Sequence, residues 1–354
     1  MKILCDHQIF SSFAYSGISR YFCELFQEFD KMQIKWDVSC FFSNNKFLKI
    51  LKYYPGFFPE QNFRGKNRLL EAINLLKTRQ ELYRGDFDIF HSTYSKPYNR
   101  KLLKGKPYII TVHDMTHEKY GAKLPSGIRE TEEEKVSIAT ADGIICPSFA
   151  TRDDLVKLYP DAAEKTTVIY HGVRIPEQIP ELFTDIKPYF LYVGSRMFYK
   201  DFPTAVKAVA QMPGEYRLLC VGGGSFTLQE QELFAKLKIS DRIIHRQLSE
   251  PELFAAYKNA EALLFTSEAE GFGLPIIEAQ SQNCIPVLSD IPCFREIGAN
   301  KALYFPLHDA EKCAEQLDKI VQNKVNFSPA ENLTRFNWQN AASLTLDFYR
   351  KFTA

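Results

Sequence analysis

The sequence has no CxxC pair, no excess of either charge and no apolar run long enough to cross a bilayer. Its cysteines (Cys5, Cys23, Cys40, Cys146, Cys220, Cys284, Cys293 and Cys313) are scattered. Neither a metal cluster nor a disulfide framework is expected from them, and the compartment reads as reducing and cytoplasmic. A formal net charge of +1 excludes the strongly basic balance of a dedicated nucleic-acid binder. A spanning helix needs about 20 apolar residues, and no run approaches that, so any membrane association is expected to be peripheral. The opening residues Met1 to Asp6 turn polar too soon for a signal peptide and read as a strand. What remains is ordinary globular composition, 45% hydrophobic and 25% charged, over 354 residues. That length allows two domains, each with its own core.

The chain is organised around Glu270-Gly271-Phe272-Gly273-Leu274-Pro275-Ile276-Ile277-Glu278. Ala262 to Thr266, just before it, reads as a buried parallel strand. Pro275 suits the first position of a helix, where its missing N–H costs nothing. The segment is therefore strand, tight turn, helix, with one carboxylate before the turn and one in the first helical turn. A helix start offers unpaired N–H groups and a positive dipole end, both suited to phosphate. Glycine lets a ligand approach the backbone closely, and a carboxylate can hold two vicinal hydroxyls. Together these suit a diphosphate between two sugar rings, a nucleotide sugar. Taken alone, the same residues also fit plain turn chemistry and a Glu placed for helix stability.

Elsewhere, strands alternate with helices, the pattern of doubly wound sheets that bind ligands at the carboxyl ends of their strands. Lys2 to Cys5 leads through Ser16-Gly17-Ile18-Ser19-Arg20 into a helix carrying Tyr21, Leu25, Phe26 and Phe29. Tyr108 to Val112 is a strand ending in His113-Asp114. Trp36 to Phe42 reads as a strand, and Thr151 as the opening of a helix. Arg174 to Pro188, with three prolines and no periodicity, is the linker. Tyr189 to Gly194 opens the second half and leads to Arg196 and Lys200 before a helix, a possible diphosphate clamp. Lys46 to Arg84 is rich in cations, with Phe47, Tyr53, Tyr54, Phe57, Phe58 and Phe63 among them. It suits an anionic membrane surface or lipid-phosphate acceptor, or equally a solvated helical pair covering the sheet.

The Glu270 to Glu278 stretch, two Glu framing Gly-Phe-Gly-Leu-Pro, resembles the signature of retaining glycosyltransferase family 4. The resemblance implies the α/β GT-B fold: two Rossmann-like domains, their parallel sheets facing across a cleft, and a final helix crossing back to the first. The expected division is 1–173 for an acceptor-binding domain, 174–188 for the linker, 189–336 for the nucleotide-sugar domain and 337–354 for the returning helix. Gly17 to Tyr21 resembles members that make bacterial surface polysaccharides, several of them mannosyltransferases. The family carries Gly-Gly where Ser16-Gly17 stands, leaving Gly17 as the donor-phosphate contact. It has Asn where His171 stands.

By the same resemblance, His113 bonds the primary hydroxyl of the donor sugar and Glu270 holds its other hydroxyls near the anomeric carbon. Glu278 holds the ribose. Arg196, Lys200 and the backbone around Gly271, Phe272, Gly273 and Leu274 meet the diphosphate, with Arg196 displaced by one residue from the usual place. No acid pair was read as an Asp-x-Asp metal site, so neither metal nor cofactor is expected beyond a GDP- or UDP-linked donor. The implied activity moves a hexose, mannose first, to a saccharide or lipid-linked saccharide at the inner face of the cytoplasmic membrane. A nucleotide-sugar epimerase or hydrolase, an exported sugar-binding protein and a non-catalytic subunit are the rivals.

Overall fold

The computed structural model describes residues 1–51, 63, 65–124 and 127–353. They form two compact units, one of residues 1–172 with 337–354 and the other of 173–336. Each is built on one six-stranded sheet with every pairing parallel.

The first unit holds β1 (Lys2–Cys5), β2 (Lys35–Val38), β3 (Ile89–Ser92), β4 (Tyr108–Thr111), β5 (Gly143–Cys146) and β6 (Thr166–Val168), in the spatial order β2-β1-β3-β4-β5-β6. The chain reverses direction across the sheet between β1 and β3, opening a crevice at their carboxyl ends. Strands buried on both faces read as continuous apolar runs, and Ile3, Leu4, Ile89, Phe90, Ile109 and Ile144 are all buried. β2 is shorter than expected, because beyond Val38 the backbone turns through Ser39 and Cys40.

Two helix starts differ from expectation. Ser16, read as an imperfect Gly-Gly, is the N-cap of helix Gly17–Lys31, its Oγ accepting from Ile18 N at 3.1 Å and Ser19 N at 3.5 Å. Gly17 is therefore the first helical residue and not a loop residue. The helix expected to open at Thr151 spans Phe149–Leu158, with Ser148 as its cap accepting from Thr151 N at 3.0 Å. Such caps contribute about 1 kcal/mol. In the basic stretch, helices Lys46–Ile50 and Lys66–Arg84 are present, the second turning Leu70, Asn74, Thr78 and Leu82 inward every fourth residue. Tyr53, Tyr54, Phe57 and Phe58 lie outside the described residues.

The second unit holds β7 (Tyr189–Val193), β8 (Arg217–Val221), β9 (Ile243–Arg246), β10 (Ala262–Phe265), β11 (Ile285–Ser289) and β12 (Leu303–Phe305), ordered β12-β11-β10-β7-β8-β9. Here the reversal falls between β7 and β10. Phe190, Tyr192, Leu218, Cys220, Leu264 and Val287 join the helix Phe202–Ala210 in one core.

The closing helix, Trp338–Arg350, belongs to the first unit and packs on helix Gly17–Lys31. It buries Trp338, Ala341, Ala342, Thr345, Leu346, Phe348 and Tyr349. At Gly172 the approach is so close that a Cβ would lie 2.3 Å from Trp338 N. Only glycine fits there. Gly172→Ala should cost about 1–3 kcal/mol of the first unit's stability by overpacking and red-shift Trp338 fluorescence. Unchanged melting and emission would show that the helix can move aside freely.

Candidate active site

The site of the second unit follows from its topology. Chain reversal between β7 and β10 brings the loop after each strand to the same edge, although 70 residues separate Lys200 from Glu270. β7 runs into residues 194–197, then a single turn, Phe198–Lys200, before helix Phe202–Ala210. β10 is followed by Thr266 and Ser267, both fully buried. The loops are stapled by backbone and hydroxyl: Glu268 N donates to Tyr199 O at 2.8 Å, and Thr266 Oγ1 lies 2.8 Å from the carbonyl oxygens of both Lys200 and Asp201.

On that frame Lys200 Nζ donates to Glu270 Oε1 at 2.5 Å, and Ser267 Oγ donates to the same oxygen at 2.8 Å. Lys200 and Glu270 side chains are 16% and 14% exposed, enough for a ligand to reach both. Hydrogen bonds of this charged kind contribute about 1.5–3 kcal/mol each. Ser267 was not singled out from the sequence. Its place three residues before Glu270 was the available signal.

Gly273 has φ +90° and caps helix Leu274–Ser281, a conformation that L side chains rarely adopt. Phe272 is buried, edge-on to Phe336 at 5.7 Å, and its carbonyl accepts from Cys293 Sγ at 3.3 Å. This packing fixes the turn, and Gly271 is buried with it. Glu278 is buried in the helix, accepting from Tyr257 Oη at 2.9 Å. Tyr257 reaches Glu278 from helix Glu250–Asn259 and has no local signal linking it to the motif.

Arg196 departs from expectation. Its Nε donates to Glu230 at 2.6 Å, and its two terminal nitrogens donate to the carbonyls of Gly222, Gly224 and Ser225 at 2.9, 2.9 and 3.0 Å. The guanidinium also stacks over Phe226 at 4.8 Å. It holds the glycine-rich loop after β8 instead of standing free for a diphosphate. The one-residue displacement was the warning.

In the first unit His113 follows β4 at its carboxyl end. Its ring packs edge-on against Tyr21 at 5.2 Å, and Nε2 is buried without a hydrogen-bond partner among the described residues. Burial pulls its pKa down to about 4, so the imidazole is neutral at pH 7. Gly17, starting the helix that carries Tyr21, has open space beside it. His171 is buried against Tyr21 at 4.7 Å and stacked on Trp338 at 5.6 Å. Burial lowers its pKa well below the usual value. His91, also held down to about 3 by burial, bonds Tyr349 Oη at 2.6 Å and Thr111 Oγ1 at 2.9 Å.

Asp6, read only as the end of a strand, is fully buried where β1 meets β3. It accepts from Gln8 Nε2 at 2.7 Å, Ser92 Oγ at 2.9 Å, Thr93 N at 3.0 Å and the Thr93 hydroxyl. Against the expectation of no Asp-x-Asp pair, Asp86-Phe87-Asp88 carries that spacing. It precedes β3, at the opposite edge of the sheet from His113, where Lys2 Nζ bonds Asp86 at 2.7 Å and Lys2 N bonds Asp88 at 2.8 Å. Among the described residues, no group of three or more His, Cys, Asp or Glu is placed to hold a metal.

Residues 15–175 match the family model described as Glycosyltransferase Family 4, and residues 175–339 the model described as Glycosyl transferases group 1. The chain is 29% identical over 234 residues to the O-antigen chain mannosyltransferase RfbU of Salmonella typhimurium, covering 65% of this chain and 66% of that one. It is 22% identical over 310 residues to the GDP-mannose:cellobiosyl-diphosphopolyprenol alpha-mannosyltransferase of Xanthomonas oryzae, covering 81% and 79%. The crystal structure of Anabaena HepE in complex with UDP and glucose matches with a TM-score of 0.72 at 17% identity, over 98% of each chain. That likeness is one of fold.

Unfolded imidazoles titrate near pH 6.5, so below it the unfolded state takes up protons that the buried His91, His113 and His171 refuse. Stability should therefore be lost as pH falls from about 6.5 towards 4, by up to about 1.4 kcal/mol per pH unit for each buried imidazole. His171→Asn should flatten that slope in denaturant titrations; an unaltered slope would refute the burial argument.

Proposed function

This chain belongs to the family 4 glycosyltransferases of GT-B fold, and we propose that it moves mannose from GDP-mannose to a lipid-linked saccharide with retention of configuration. The observation that carries the reading is the Lys200–Glu270–Ser267 cluster at the reversal between β7 and β10. Cation and carboxylate neutralise each other there. An arriving donor gives Lys200 its diphosphate and gives Glu270 the sugar hydroxyls, so one ion pair becomes two ligand contacts. The amides opening helix Leu274–Ser281 add partial positive charge where the diphosphate departs. Glu278 takes the ribose hydroxyls.

In the transfer, the bond from the anomeric carbon to the diphosphate oxygen breaks and its electron pair leaves with the phosphate. The acceptor oxygen bonds the same face of an oxocarbenium-like sugar, and its proton passes to the departing phosphate. Glu270 Oε1 accepts from both Lys200 and Ser267, which spreads its charge and disfavours its acting as a nucleophile. GDP-mannose carries its sugar in the α configuration, so a relative named as an alpha-mannosyltransferase supports retention, and its diphosphopolyprenol acceptor supports a lipid-linked one. Charge stabilisation by Lys200 and backbone amides supports catalysis without a metal.

Among GDP-, UDP-, ADP- and dTDP-sugars, GDP-mannose should raise the melting temperature most, since a ligand stabilises in proportion to its affinity. A larger shift with another base would overturn the donor assignment. With bacterial membranes supplying acceptor, transfer should persist in EDTA. Lys200→Met and Glu270→Gln should each lower kcat by about 10²–10³, as when one preorganised group is lost, and Glu278→Ala should mainly raise the donor KM. Full activity in the first two would sink the site.

A membrane contact is supported by helix Lys66–Arg84. Leu69, Leu76 and Tyr83 recur every seventh residue on its outer face, 46%, 61% and 75% exposed, a single stripe two turns apart. Arg68, Arg79 and Arg84 flank it, exposed. Apolar and cationic side chains on one face suit an anionic lipid surface. Vesicles containing phosphatidylglycerol should retain the protein, and a triple Arg68→Glu, Arg79→Glu, Arg84→Glu variant should be released. Equal retention of both proteins would refute the contact.

A further inference from the structure

A pocket of about 250 Å³ opens in the first unit, between helix Gln8–Ser12, the start of helix Lys66–Arg84, the loop after β3 and helix Gly127–Thr140. Pockets that enclose drug-sized ligands span about 300–1,000 Å³, so this one has room for a single small ring. Its floor is rigid. Buried Gln8 donates to Lys96 O at 2.9 Å and accepts from Lys96 N at 3.0 Å, closing the β1 and β3 loops on each other above Asp6. One wall is aromatic, with Phe13 edge-on to Tyr94 at 6.3 Å and 45% exposed. The opposite wall is acidic.

There Glu130 accepts from His117 Nε2 at 2.8 Å and from Tyr94 Oη at 3.4 Å. Glu133 has Oε2 buried with no hydrogen-bond partner among the described residues. A buried oxygen left unpaired is costly and accepts an O–H from whatever enters. Of the described residues lining the pocket, the two cations are already engaged, Lys96 with Glu71 and Arg129 with Glu133 at 3.8 Å. Among the described residues, the three carboxylates face two paired cations and the His117 imidazole already bound to Glu130, so no free cation is offered to an anion. The pocket also neighbours the carboxyl end of β4, since His117 lies on the short helix that follows His113.

We propose that this pocket holds the terminal sugar of the acceptor as one uncharged hexose ring, stacked on Phe13 and Tyr94 with a hydroxyl on Glu133, and excludes uronate and phosphorylated sugars. The proposal rests on the transferase reading above and adds the acceptor's chemical class to it.

The test is saturation-transfer NMR on the full chain. The probes are methyl α-mannoside, methyl β-glucoside and methyl α-galactoside, with methyl glucuronide, mannose 6-phosphate and GDP-mannose alongside. At least one neutral glycoside should receive saturation and both anionic sugars none. Glu133→Gln and Tyr94→Ala should each weaken the glycoside about tenfold, the scale of one lost hydrogen bond to a charged group, while GDP-mannose binding, which also reports folding, stays intact. Preference for an anionic sugar, undiminished binding in both variants, or no glycoside binding while GDP-mannose binds would each overturn the pocket assignment alone. Silence from GDP-mannose as well would bring down the transferase reading with it.

Discussion

A cation and a carboxylate 2.5 Å apart at the reversal point of a parallel sheet are the constraint around which the second unit is arranged. Two loops could not hold such a pair by backbone alone, because long side chains lose rotamer freedom when fixed. The structure meets that cost with short range order. Thr266 ties down the Lys200 loop through its carbonyls, Ser267 orients Glu270 from below, and the buried Ser289 hydroxyl donates to Ser267 O at 2.5 Å. The Lys200–Glu270 pair thus rests on a layer of buried hydroxyls, Thr266, Ser267 and Ser289.

The first unit solves a different problem. It must keep imidazoles in an apolar cluster without charging them. Tyr21, His113, His171 and Trp338 pack ring against ring, and burial holds each histidine below its ordinary pKa. The closing helix supplies Trp338 and Tyr349 to this cluster, so the last residues of the chain shape the surroundings of His113. Substitution of the family's Asn by His171 then reads as part of a packed stack instead of a lost polar contact.

Much of this was legible in the order of residues. Alternation of apolar runs with 3.6-periodic segments announces two doubly wound sheets, and Glu270 to Glu278 announces the turn that caps a helix at Gly273. These are local patterns, set by backbone sterics and side-chain period. The motif also carried the family, which the matches over residues 15–175 and 175–339 show.

Partnerships were not legible. Arg196 looked like a phosphate ligand because it lies near Lys200 in sequence, yet Gly222 to Ser225 claim it. Ser16 looked like a flawed glycine and is a cap. Asp6 looked like the end of a strand and ties β1 to β3. Gln8, Tyr94 and Glu133 come from three separate segments and carried no common signal. The sequence by itself determined the elements, their alternation and the identity of the motif, because those depend on neighbours a few residues away. Only the tertiary structure decided which charge meets which, since strand order brings together groups tens of residues apart and no periodicity encodes that distance.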